Sequence, residues 1–134
     1  MLSNMMNMLP NFFSYFAVSM ILLAAFLFVY VKLMHYNEIS LIREGNIAAG
    51  IGLAGASLGF AMPVANVIAH SDTIIDLIAW SIVAGAIQLL AYLAARLALP
   101  GLCKDVPAGK VAPAIFLASL SLTVGLINAA CMIY

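Results

Sequence analysis

Residues 12–34 read FFSYFAVSMILLAAFLFVYVKLM, from Phe12 to Met34, and their only charge is Lys32 near the end. A helix needs about 20 apolar residues to cross a hydrocarbon core of about 30 Å, so this stretch predicts a membrane span. Three more follow, at about Asn46–Ala69, Thr73–Ala95 and Val111–Ile133. Within those three the only charge is Asp76, in the first turn of its helix. The runs lack period-two alternation and are too long for barrel strands, so helices are left to satisfy the backbone in lipid.

Composition agrees. Of 134 residues, 66% are hydrophobic and 7% charged, with a mean hydropathy of +1.18. A water-soluble domain carries roughly 25% charged residues, and a disordered chain is poor in apolar ones. Five Lys or Arg against five Asp or Glu give no net charge, so nothing points to nucleic acid. The expected class is an all-α integral membrane protein, one four-helix domain over residues 1–134.

Residues 1–11, MLSNMMNMLPN, hold no Lys or Arg, so the first span is expected to be retained and not cleaved as a signal peptide. Pro10 fits the start of that helix, where a missing N–H costs nothing. Lys32 and Arg43 flank the connection between spans one and two; Arg96, Lys104 and Lys110 flank the one between three and four. The positive-inside rule then puts both connections in the cytoplasm and both termini outside, with every copy inserted the same way. His35, Glu38, Arg43 and Glu44 read as solvated residues of the headgroup region, or as a dock for a cytoplasmic protein.

Shifted by 64 residues, the chain aligns with itself. Gly45 meets Gly109, Ile51 meets Ile115, Ser57 meets Ser121, and Lys32 meets Arg96. The expectation is two tandem hairpins, about 12–69 and 73–134, sharing one orientation as a parallel internal repeat.

Helix association in lipid depends on close approach at small residues. Gly55 and Gly59 form GxxxG, Ala48, Gly52 and Ala56 a second column, and Ser121, Gly125 and Ala129 repeat the spacing in the last span. These faces read as packing surfaces, left exposed for a second copy, or as a pore lining. The first span, rich in Leu, Phe, Val and Met, is expected to face lipid. Pro63 leaves the carbonyl of Gly59 without its usual donor and predicts a bend, either fixed shape or hinge.

Intramembrane polar groups are the main functional pointers. Gln88 and Asn128 must find partners across a helix interface; with Ser57 and Ser121 they read either as glue between helices or as an uncharged polar path. His70, Asp72 and Asp76 have the chemistry of a metal site, but helix capping by Asp72 or Thr73 explains the same residues. Cys103 and Cys131 fall on opposite sides and are not expected to bond. There is no C-x-x-C, HExxH, GxSxG or phosphate-cradling motif, so neither enzyme activity nor a cofactor is expected.

Asn46-Ile-Ala48-Ala49, Gly55, Leu58-Gly59, Pro63, Asp76, Trp80, Gln88-Leu89, Arg96, Pro100, Gly125 and Asn128-Ala-Ala-Cys-Met132 together resemble the DUF350 (UPF0719) inner-membrane family. The resemblance covers about Phe16 to Tyr134. It implies a small bacterial multi-pass protein of two tandem hairpins, in a setting similar to envelope-stress modules, and supplies no catalytic residues. The function expected is a homo-oligomeric channel- or transport-like module, or a non-catalytic scaffold anchoring a cytoplasmic partner through Arg43, Glu44, Arg96 and Lys104. An impermeant thiol reagent applied from outside should leave Cys103 unlabelled in intact cells; labelling there would reverse the orientation.

Overall fold

The computed structural model describes residues 2–33, 37–70 and 73–132. Its helices are α1 (Leu2–Leu33), α2 (Glu38–Arg43), α3 (Ile47–His70), α4 (Ile74–Ala98), α5 (Leu102–Asp105) and α6 (Val111–Cys131). Among the described residues α1, α3, α4 and α6 are long and apolar enough to cross a membrane. At about 1.5 Å per residue even α6 covers the hydrocarbon thickness.

The expected boundaries hold except at the start. Helix α1 begins at Leu2 and encloses Pro10, which was expected to open it. Leu2, Met5, Met6, Met8 and Leu9 are good helix formers, and the carbonyl that Pro10 leaves without a donor, that of Met6, lies on an exposed turn. Capping is legible elsewhere. The Asn46 side chain accepts from the N–H of Ala49 at 3.0 Å and opens α3. The Thr73 hydroxyl accepts from the N–H of Asp76 at 3.2 Å and opens α4.

The short helices α2 and α5 end alike. After α2, the N–H of Gly45 bonds Ile42 O at 3.0 Å and that of Asn46 bonds Leu41 O at 2.9 Å. After α5, Gly109 bonds Val106 O and Lys110 bonds Asp105 O, both at 3.0 Å, each 64 residues further on. This paired pattern needs a left-handed residue at the turn; Gly45 has φ 87° and Gly109 φ 85°.

Helices α3 and α6 form the centre. Their contacts climb both helices in step, so the two run parallel. The Asn46 amide donates to Val106 O and Pro107 O at 3.2 Å each, Gly55 lies on Ala118, Gly59 on Ser121 and Gly125, and the Asn66 amide donates to Ala129 O at 2.8 Å. A Cβ on Gly55 would fall on the Ala118 backbone, and one on Gly125 would fall on the Gly59 backbone. The small-residue columns, expected to stay exposed for a second copy, are therefore buried within one chain: Ala48, Gly52, Gly55, Ala56, Gly59, Ser121 and Gly125 are all inaccessible. Each column finds its match inside the same polypeptide, and lipid is left facing larger side chains such as Leu58, Ile82, Leu90 and Leu126.

Helix α4 packs antiparallel across this pair, with Leu77, Ser81, Ala84, Gln88, Ala91 and Ala95 buried. Helix α1 is peripheral, as expected; among its residues Phe26 and Tyr30 are buried. Phe26 stacks on Phe60 of α3, with centroids 4.4 Å apart and planes 2° from parallel. Tyr30 meets Tyr92 of α4 edge-on at 5.7 Å.

Gly125→Ala should destabilise the fold by about 1–3 kcal/mol, since its methyl group has nowhere to go. Gly50→Ala, whose methyl would meet nothing within 4 Å, should be neutral or stabilising by up to about 1 kcal/mol. Thermal melting of the two variants in detergent checks the contrast.

Candidate functional site

Pro63 has no N–H, so within α3 the carbonyl of Gly59 cannot receive its usual bond. A carbonyl orphaned in apolar surroundings must be satisfied from elsewhere. Gln88 does this. Its Nε2 donates to Gly59 O at 3.0 Å and to Ser121 O at 3.1 Å. One amide from α4 thus ties the backbones of α3 and α6 at the point where they touch. The interaction is buried, with Gln88 1% exposed, and needs the bare backbone of Gly59, where a Cβ would come within 2.9 Å of both Gln88 amide atoms.

The four residues expected to form a polar path are only partly brought together. Gln88 and Ser121 meet, though Ser121 takes part through its backbone carbonyl, not its hydroxyl. Asn128 is buried on the same face of α6, seven residues beyond Ser121. Ser57 stands apart, two residues and so about half a turn from Gly59, with its hydroxyl donating to Leu53 O at 2.9 Å. Ser81 is also buried on α4, two turns from Gln88. Among the described residues, Ser81 Oγ, Gln88 Oε1 and Asn128 Nδ2 are buried without a hydrogen-bond partner. Helices α4 and α6 are antiparallel, so Ser81 and Asn128 lie at a similar depth, about 10 Å from the Gln88 bridge.

The α3–α4 connection behaves as a helix junction. Thr73 supplies the cap, and His70 Nδ1 lies 3.0 Å from Asn66 O in its own helix. Asp76 is exposed in the first turn of α4, where a carboxylate favours the helix dipole. Asp72 lies outside the described residues. Among those described, no three His, Cys, Asp or Glu side chains gather to hold a metal.

At the other end of the bundle Glu38 corrects the expectation of a solvated headgroup residue: it is fully buried. Helix α2 folds back against α3, turning this carboxylate inward. It lies close enough to Tyr92 to act on the phenol electrostatically, as does Arg96, and Tyr92 Oη is 3.5 Å from Cys103 Sγ. No periodicity marked Glu38 as inward-facing, because α2 is too short to carry one. His35 lies outside the described residues. Cys103 and Cys131 are both free.

The model of the family described as Domain of Unknown Function (DUF350) matches residues 4–132. The chain belongs to this family. UPF0719 inner membrane protein YjfL of Escherichia coli (strain K12) is 33% identical over 129 residues, spanning 96% of this chain and 98% of the relative. The protein of the same name from Escherichia coli O157:H7 matches to the same extent. No solved structure matches significantly. With four span-length helices and this kinship, the chain is a multi-pass inner-membrane protein of DUF350 type.

Gln88→Leu should cost about 1–3 kcal/mol by leaving the Gly59 carbonyl unmet. Pro63→Ala supplies a backbone N–H for that carbonyl, so in the Gln88→Leu background it should recover part of the loss. A double-mutant cycle measured by denaturation in detergent should give a coupling of at least about 0.5 kcal/mol; strict additivity would refute the link.

Proposed function

We propose that the protein is a homo-oligomeric transport-like module for a small solute or ion, working through the junction of α3, α4 and α6. The observation that carries this reading is the set of unpartnered atoms on Ser81, Gln88 and Asn128. Each unmet buried polar atom costs about 1–3 kcal/mol. One at the Gln88 bridge and two at a shared level about 10 Å along the bundle are what a transient polar guest would use. The closeness of α3 and α6 leaves no room for a conduit between those helices, so a continuous path needs walls from further copies. Both termini face outward and the basic end faces the cytoplasm, on the positive-inside rule. The bundle is two tandem hairpins in a parallel repeat, a reading supported by the matching turns at Gly45 and Gly109. An envelope-stress setting has only the family resemblance behind it.

A non-catalytic scaffold is the second reading, favoured by one feature of the basic end. The short helices α2 and α5 and the turns that follow them are joined by the Asn46 bonds to Val106 and Pro107, and they expose Arg43, Glu44 and Lys104 as an ordered charged surface for a cytoplasmic protein.

Flux through the protein in liposomes separates the two. Ser81→Ala removes an unpartnered buried hydroxyl that holds no helix in place, so it should lower flux severalfold while melting stays the same or rises, and Asn128→Leu should lower flux likewise. Absence of flux for every ion and solute tried, with a soluble partner that co-purifies and is lost on Arg43→Ala, would establish the scaffold instead.

A further inference from the structure

Helix α1 is longer than the bundle it packs against. Phe26 approaches Gly85 and Tyr30 meets Tyr92, so α1 and α4 run side by side in the same direction. From Tyr92 back to Ile74, where α4 begins, is 18 residues, and the same distance back along α1 ends at Phe12. Residues 2–11 therefore continue past the other helices as an exposed helix about 15 Å long. Membrane thickness gives the same level. About 20 residues cross the hydrocarbon, and counted from Lys32 they also stop near Phe12. There Phe12, Phe13, Tyr15 and Phe16 form the belt of rings that marks an interface.

What this extension carries is sulfur. Met5, Met6 and Met8 are three of its ten residues, whereas the 22 residues from Phe12 to Leu33 hold Met20 alone. Inside the hydrocarbon α1 meets lipid with Phe, Leu, Val, Ala and Ile, so apolarity does not account for methionine beyond it. The three are 58%, 65% and 69% exposed. They alternate with Ser3, Asn4, Asn7 and Asn11, side chains that belong in water or among headgroups. Met5 and Met8 share a helix face, with Cβ atoms about 5–6 Å apart. Their flexible, unbranched stems can bring both thioethers to one ion. Phe12, four residues past Met8, continues that face, and its ring is stacked on Phe16 at 5.9 Å. An aromatic ring beside a cation adds attraction.

Donor chemistry decides which ion. Thioethers are soft and uncharged, and soft sulfur ligands select Cu(I). Residues 2–16 contain no charged side chain, so Mg²⁺ and Ca²⁺, which take oxygen ligands and carboxylates above all, find no counter-charge. Zinc prefers thiolate, imidazole and carboxylate, and among the described residues no three of these gather. We propose that Met5 and Met8 bind a soft monovalent metal ion, Cu(I), on the part of α1 that projects from the bundle. The site is separate from the Gln88 junction and does not depend on transport through it.

The test uses Ag(I), a redox-stable substitute for Cu(I), added in chloride-free buffer to the full chain in lipid nanodiscs. NMR of isotope-labelled methionine methyls gives the readout residue by residue, so metal taken up by Cys103 or Cys131 does not confuse it. The Met5 and Met8 signals, assigned from Met5→Leu and Met8→Leu, should shift, and those of Met20 and Met62 should stay. In the Cys103→Ser/Cys131→Ser chain, about one Cu(I) should bind in competition with a colorimetric chelator. Adding Met5→Leu/Met8→Leu should weaken that binding at least about tenfold, the order of a lost metal contact. Leucine is as good a helix former as methionine, so melting should not change. Should the cysteine-free chain not fold, the methyl shifts of the wild type decide. Unmoved Met5 and Met8 signals overturn the proposal, as does wild-type Cu(I) affinity in the folded Met5→Leu/Met8→Leu chain. So do signals that move in detergent but not in nanodiscs, because the thioethers then lie in hydrocarbon.

Discussion

The bundle depends on the direct contact of two backbones, α3 at Gly59 and α6 at Gly125. In lipid, burial of apolar side chains gives no net drive for helices to meet, and close packing must supply it. Glycine makes that possible by removing the Cβ that would hold the backbones apart. Proline makes it specific. By freeing the Gly59 carbonyl, Pro63 creates a polar demand at the contact, and Gln88 from a third helix meets it while reaching Ser121 as well. Three helices are thus fastened by one amide, at a depth where water does not compete for the bond.

Much of this was legible in the sequence. Four apolar runs, the basic residues beside two connections, the Thr73 cap and the orphaned Gly59 carbonyl follow from length, charge and proline chemistry alone. Gln88 stood out as an amide in need of a partner. What could not be read was which surfaces would meet. A column of small residues says that something approaches closely, and it is silent on whether that is another helix of the same chain or of a second copy. The parallel pairing of α3 with α6 joins residues more than 60 positions apart, and no local pattern encodes it.

Two departures of the structure from the sequence pattern share a physical origin. Glu38 seemed solvated because charge near a span end ordinarily is, yet α2 folds back and buries it. Ser57 and Ser121 align at the 64-residue shift, but the hydroxyl of Ser57 bonds its own helix while Ser121 contributes its carbonyl to Gln88. In both cases the identity of the residue was informative and its direction was not, since direction depends on how neighbouring elements dock.

The dependence of Gly59 on Gln88 also orders events during synthesis. The proline-freed carbonyl emerges from the ribosome before its donor, which follows 29 residues later, and the backbone that completes the contact belongs to the last helix. Until α4 has been released into the bilayer the nascent chain carries an unmet carbonyl, and until α6 follows it carries a bare glycine face as well. A polypeptide cut short before α6 would keep that glycine face uncovered, and one cut short before α4 would keep the unmet carbonyl too.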